Sequence, residues 1–173
     1  MRLFYAITFK EETKEELYKY RNMIAEKSVK GNFTTLNNIH LTLEFIGEAD
    51  GKGLKVLADV LHQLKSYPEK LMLSSIGSFN KGNKEIVWLG IEKNEELIRL
   101  QCELREVLIN NGFKIEGRSY KPHITIGRQV VTIGEIQEVH VKPMEIPIKS
   151  IALMESKRIN GELVYKPLEE IKI

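Results

Sequence analysis

The chain has 173 residues, 42% hydrophobic and 29% charged, enough to bury a sizeable core without disulfide or metal staples. Twenty-six basic against 24 acidic residues leave a formal net charge of +2. That balance argues against a duplex-DNA-binding protein with its large basic face, while permitting a small anionic substrate held by a few local cations. One cysteine, Cys102, admits no intramolecular disulfide and points to a reducing cytoplasm.

Residues 2–9 are hydrophobic and β-prone, and run straight into Lys10-Glu11-Glu12 with no small-residue cleavage site. They read as a first strand and not as a signal peptide. Thr13-Lys14-Glu15-Glu16 has the form of a capping box. Leu17, Tyr20, Met23 and Ile24 then repeat at helical spacing up to a stop before Gly31-Asn32. A strand is expected over Ile39–Ile46, ending at Gly47. Next comes a helix over Gly53–Leu64, with Asp50 as its cap. Strands over 69–79 and 85–92 flank the polar turn Asn80-Lys81-Gly82-Asn83. A third helix starts near Asn94, with Leu97, Leu100, Leu104, Val107 and Leu108 on one stripe and Gly112 past its end. The remainder reads as strands over 122–128, 138–142, 146–157 and 163–168. No apolar run nears the roughly 20 residues of a membrane span, and no linker divides the chain, so residues 1–173 are read as one domain of two intimately packed lobes.

Two segments share one pattern. Ile39-His40-Leu41-Thr42-Leu43 and Pro122-His123-Ile124-Thr125-Ile126 both read His-aliphatic-Thr-aliphatic, about half a chain apart. Side chains on a strand alternate between faces. His40 and Thr42 therefore share one side, as do His123 and Thr125, while the aliphatic side goes to the core. If the halves pack with a rough two-fold relation, two imidazoles and two hydroxyls meet in one cleft. That set suits phosphodiester cleavage without a metal. With an ordinary pKa of about 6.5, one imidazole can take a proton from water while the other supplies one to the leaving oxygen. The hydroxyls can hold nonbridging phosphate oxygens. A metal site would need further ligands, and no H-x-x-E-H, H-E-x-x-H or cysteine-rich spacing exists. His62 and His140 have no partner in the pattern, and Cys102, inside a helical stripe, reads as structural.

The residues around these motifs resemble the 2H phosphoesterase superfamily, specifically its RNA 2′,3′-cyclic phosphodiesterase branch, also called LigT-like or 2′-5′ RNA ligase-like. The likeness rests on Met1–Ile7, on Asn38–Glu48, on Arg118–Arg128, and on Leu153–Ser156 with Gly161–Tyr165. It implies a bilobal α+β fold in which two antiparallel sheets line a central cleft, helices cover the outside, and the halves are pseudo-two-fold related. It further implies hydrolysis of 2′,3′-cyclic phosphate RNA ends to 2′-phosphates without cofactor or metal. In that scheme His40 is the proton donor and His123 the proton acceptor. Residue chemistry alone does not choose between these roles. Related readings are a 2′-5′ RNA ligase, a phosphodiesterase on a small nucleotide such as an ADP-ribose cyclic phosphate, and a non-catalytic RNA- or nucleotide-binding module. Intact His and Thr in both motifs favour an enzyme, acting on RNA ends or cyclic nucleotides as a cytoplasmic monomer.

Four further residues are candidates for substrate binding. Arg118 and Arg128 flank the second motif and match family positions, which suits at least one of them to phosphate contact, with a surface or inter-lobe salt bridge as the alternative. Regular alternation sends Arg128 to the Ile124/Ile126 face, which counts against direct contact. Phe79 and Tyr165 could stack on a base. Phe45 could do the same, but alternation assigns it to the core. Lys121 could add positive field, though a solvated lysine is the simpler reading.

Overall fold

Strand β1 (Arg2–Thr8) is apolar and buried along nearly its whole length, so it needs cover on both faces. The computed structural model describes residues 1–173 and puts β1 inside a four-stranded sheet. Its neighbours are β3 (Leu41–Glu48) and β8 (Ser150–Ile159), and β9 (Glu162–Lys172) pairs with β8 at the edge. A second sheet has the order β2 (Ser28–Phe33), β6 (His123–Thr132), β5 (Lys84–Ile91), β4 (Lys70–Lys81) and β7 (Met144–Pro147). Every pairing in both sheets is antiparallel. The expected α+β architecture of two antiparallel sheets is therefore the one that forms.

Three helices cover the outer faces, and two of them cross over. Helix α1 (Glu11–Glu26) leaves β1 but packs on β2 and β6 of the other sheet. Helix α3 (Glu95–Asn110) leaves β5 but packs on β3 and on α2 (Gly51–Leu61), which lies against β8 and β9. A core of 30 buried residues draws on both sheets. From β1 it takes Leu3, Tyr5 and Ile7. The opposite face of the same strand offers Phe4 and Ala6 to a small cluster with Ala152 and Met154, against which Tyr165 packs.

Asp50 caps α2 as expected, accepting from Gly53 N at 2.8 Å, and Asn94, near the expected start of the third helix, caps α3 by accepting from Leu97 N at 3.0 Å. Elsewhere the elements differ from the sequence reading. Helix α1 begins at Glu11, ahead of the capping-box threonine. Lys10 occupies the cap without a side-chain bond, Glu11 and Glu12 face the helix dipole, and Thr13 is buried. The helix closes early, where Ser28 Oγ donates to Ile24 O at 2.6 Å. The next six residues then pair with β6 as an edge strand, although Ser-Val-Lys-Gly-Asn-Phe shows no apolar alternation. Residues 138–142 are not a strand; a 3₁₀ turn spans Ile136–Glu138. The expected strand over 146–157 is divided. β7 pairs with β4, β8 pairs with β1, and the chain passes from one sheet to the other at Ile148-Lys149.

Candidate active site

His40 sits in the short link between a 3₁₀ turn (Leu36–Asn38) and β3, while His123 is the first residue of β6. The same local device holds both rings. His40 Nδ1–H donates to the Asn38 carbonyl at 2.7 Å, and His123 Nδ1–H donates to the Lys121 carbonyl at 2.6 Å. A carbonyl only accepts, so each bond fixes the proton on Nδ1 and leaves Nε2 as the exchanging atom. His40 Nε2 accepts from Thr42 Oγ1 at 2.9 Å, the i+2 partner that alternation predicts. The two rings lie close enough that the charge on His123 bears on His40, and Arg128 bears on both.

Each imidazole is walled by two aromatic rings. Phe4 and Tyr165 flank His40, with centroids at 5.2 and 5.0 Å. Phe79 and Trp88 flank His123 at 5.1 and 6.2 Å. Tyr165 and Phe79 both stand edge-on to their histidine, at 87° and 90°. Trp88 faces Gly77 across the β4–β5 pair, and a Cβ on Gly77 would collide with the indole. The glycine is therefore what lets the indole lie there.

Burial in these cages disfavours the charged imidazole. It pushes His40 down to about 4, against the Asn38 hydrogen bond that favours charge, with Arg128 and His123 adding to the depression. His123 is also lowered, first by burial and then by Arg128. The expectation of one neutral and one charged ring therefore needs correcting for the protein alone. Burial thus biases both imidazoles toward the neutral form in the free protein.

The structure reverses two facing assignments. Phe45 is 60% exposed and lines the cleft beside His40 and Thr42. The register explains why: Ala6 faces Thr42 but Tyr5 faces Glu44, so Leu43 is an extra residue and alternation restarts beyond it. Arg128 likewise turns to the cleft. Trp88 faces Thr125 and Val87 faces Gly127, so Ile126 is the extra residue on β6. The cleft has a volume of about 770 Å³, with Phe4, His40, Thr42, Phe45, Arg128 and Tyr165 among its walls.

Asn38 has a positioning role that the sequence reading did not assign. It is buried, its Nδ2 donates to Leu163 O at 2.8 Å, and its Oδ1 accepts from Tyr165 N at 3.2 Å. One residue thus ties the His40 tether to the strand carrying Tyr165. Replacing Asn38 with alanine is expected to lower kcat/KM toward a 2′,3′-cyclic nucleotide by about 10- to 100-fold, since misplacement of about 1 Å is that costly. A wild-type rate in a folded variant refutes the role.

Other contacts set the second motif against the first. Tyr120 OH donates to Thr42 O at 3.0 Å. Glu44 accepts from Gln101 at 3.0 Å and pairs with Arg105 at 3.7 Å, while Arg105 also donates to the carbonyls of Glu116 and Arg118. Thr34 Oγ1 donates to Thr125 O at 3.0 Å. The Thr34 bond ties the end of β2 to β6, and the others brace the segment leading to His123 against β3 and α3.

Not every candidate joins the cleft. The Arg118 guanidinium pairs with Glu116 at 2.7 Å on the open surface, so its structural part is played by its carbonyl. Lys121 also acts through its carbonyl, as the His123 tether. His62 pairs with Glu169 at the surface, His140 is exposed, and Cys102 lies on the exposed side of α3 and not in the core. No three or more His, Cys, Asp or Glu side chains gather as a metal-binding group, and no helix is long and apolar enough to cross a membrane.

Comparison with known proteins fits this geometry. The sequence profile of the 2′-5′ RNA ligase superfamily matches residues 7–160. A Methanocaldococcus jannaschii protein named RNA 2′,3′-cyclic phosphodiesterase is 39% identical over 129 residues, covering 74% of this chain and 71% of that one. A Thermotoga maritima protein of the same name is 29% identical over 177 residues, covering 98% and 94%. The crystal structure of Escherichia coli LigT complexed with 3′-AMP superposes with a TM-score of 0.81 at 26% identity, covering 99% of this chain and 97% of that one.

Proposed function

Because this chain belongs to the 2′-5′ RNA ligase superfamily, we propose that it is an RNA 2′,3′-cyclic phosphodiesterase that opens cyclic ends to 2′-phosphates. The observation that carries this reading is the doubled device at the two motifs, in which each Nδ1 is tethered to the carbonyl two residues back and proton exchange falls to Nε2, which in His40 also meets the Thr42 hydroxyl. His123 Nε2 takes a proton from water as its oxygen attacks phosphorus. The bond from phosphorus to O3′ breaks, and His40 Nε2 delivers a proton to that oxygen. The product carries a 2′-phosphate and a free 3′-hydroxyl. Burial holds His40 neutral in the free protein, so to act as donor it must take up its proton once the substrate anion is bound. Thr125 and Arg128 hold the nonbridging oxygens, where charge must be kept through the displacement, and Thr42 joins them once protonation of His40 Nε2 releases its hydroxyl proton. Phe79 and Tyr165 present ring surface to the nucleoside.

Neither imidazole needs a metal for these transfers, and no candidate ligand group lies at the site to supply one. Incubation with 2′,3′-cyclic AMP and with a cyclic-ended oligonucleotide, with and without EDTA, tests the reading. The 2′-phosphate is expected from both, at rates that chelation changes less than about twofold. A 3′-phosphate product overturns the assignment of the leaving oxygen. Loss of activity in EDTA with recovery on added metal overturns the two-histidine chemistry. The single unpaired Cys102 supports a reducing, cytoplasmic setting, and we take the acting species to be the monomer.

A further inference from the structure

The cleft holds more positive charge than one phosphate requires. Its walls carry Arg2, Arg128, Lys157 and Arg158 against Glu48 and Glu155, and Glu48 is already paired with the Met1 ammonium at 3.2 Å. Arg2 and Arg128 have no carboxylate partner, and Arg158 donates only to Gly161 O in its own hairpin, at 2.9 Å. Lys157 stands 3.6 Å from Glu155. Arg2 lies on the cleft side of β1 because it keeps the parity of Phe4, and it sits opposite Ser156 on β8. Beside these cations, Phe45 is 60% exposed, with its ring 6.0 Å from that of Phe4.

A 2′,3′-cyclic phosphate bears one negative charge, and Arg128 is the cation that bears on both histidines. Arg2, Lys157 and Arg158 are surplus to that task. Unpaired guanidinium groups next to an exposed aromatic ring are what a single strand asks for: cations for successive phosphates and a ring face for a base. We infer that the rim formed by Arg2, Phe45, Lys157 and Arg158 is a track for the single-stranded RNA 5′ of the cyclic end, so that this enzyme selects oligonucleotides over mononucleotides. The inference rests on the phosphodiesterase reading above and extends it to residues outside the two motifs.

The test compares kcat/KM for 2′,3′-cyclic AMP with that for a cyclic-ended single strand of about ten nucleotides, within the site size of a single-strand groove. In the wild type the oligonucleotide is expected to be favoured about tenfold or more at low salt. The preference should fall with added salt, with a slope of about −0.7 per phosphate contacted. The double substitution Arg2→Gln/Arg158→Gln is expected to cut the ratio of the two kcat/KM values about tenfold and to flatten the salt slope by about one to two. Phe45→Ala is expected to cut the same ratio about 5- to 10-fold, as loss of one stacked base does. Equal kcat/KM for both substrates in the wild type, or a ratio that neither variant moves, overturns the track and leaves the phosphodiesterase reading standing. Turnover of neither substrate overturns both.

Discussion

Alanine at His40 or at His123 is expected to lower kcat/KM toward 2′,3′-cyclic AMP by about 10³- to 10⁴-fold. One positioned proton transfer is typically worth about 10²–10⁴, and loss of the ring also frees the phosphate grip of its neighbours. For His40 that neighbour is Thr42, whose hydroxyl donates to Nε2. Both imidazoles act on one displacement, so the double variant should be little worse than either single one. Each substitution leaves one carbonyl without its imidazole, Asn38 O or Lys121 O, and water can take that place at the cleft. The fold should survive, because neither ring belongs to the 30-residue core. Glutamine at the same positions keeps a donor but cannot exchange protons near neutral pH, and should be as inactive as alanine. The measurement is initial rate against folded fraction by circular dichroism. Activity within tenfold of wild type in any folded single variant removes the two-histidine mechanism.

What could be read in the sequence divides along physical lines. The His-x-Thr pairs were legible because the chemistry needs two titrating groups near neutral pH, and because alternation over two residues is robust. Alternation over four or five residues was not, since one extra residue inverts it. Leu43 on β3 and Ile126 on β6 are such residues, which is why Phe45 and Arg128 face the cleft and not the core. Phe4 was hidden for a different reason: β1 is apolar on both faces, so no pattern separates the cleft side from the core side. Trp88 and Gly77 make sense only as a cross-strand pair, which depends on the β4–β5 register. Asn38 belonged to the first motif's flank, but its tie to Leu163 and Tyr165 spans most of the chain. Edge strand β2 lacked any alternation to announce it, and the crossing of α1 and α3 between the sheets follows from packing alone.

The pH profile is where burial of the histidines should be visible. The reactive form of the pair carries one proton, and kcat/KM reports protonation in the free protein. His40 is held at about 4 and His123 is lowered from its ordinary value of 6.5. Acid conditions add a second proton and give the rising limb. Alkaline conditions remove the last one, and kcat/KM should fall about tenfold per pH unit once the upper of the two values is passed, below pH 6.5. The complex behaves differently. One negative charge about 4 Å away in a partly buried setting favours an imidazolium by about 4 kcal/mol, and about 1.36 kcal/mol corresponds to one pH unit. The alkaline limb of kcat should therefore lie at least one unit above that of kcat/KM. Removing a cation that opposes protonation acts in the same direction on the free protein, so Arg128→Gln should move the kcat/KM limb upward even as KM rises. Both profiles can be measured from pH 4.5 to 9 with 2′,3′-cyclic AMP. A kcat/KM limb above about pH 7.5 in the wild type, or coincident limbs for kcat and kcat/KM, contradicts the claim that aromatic cages keep both rings neutral until the phosphate arrives.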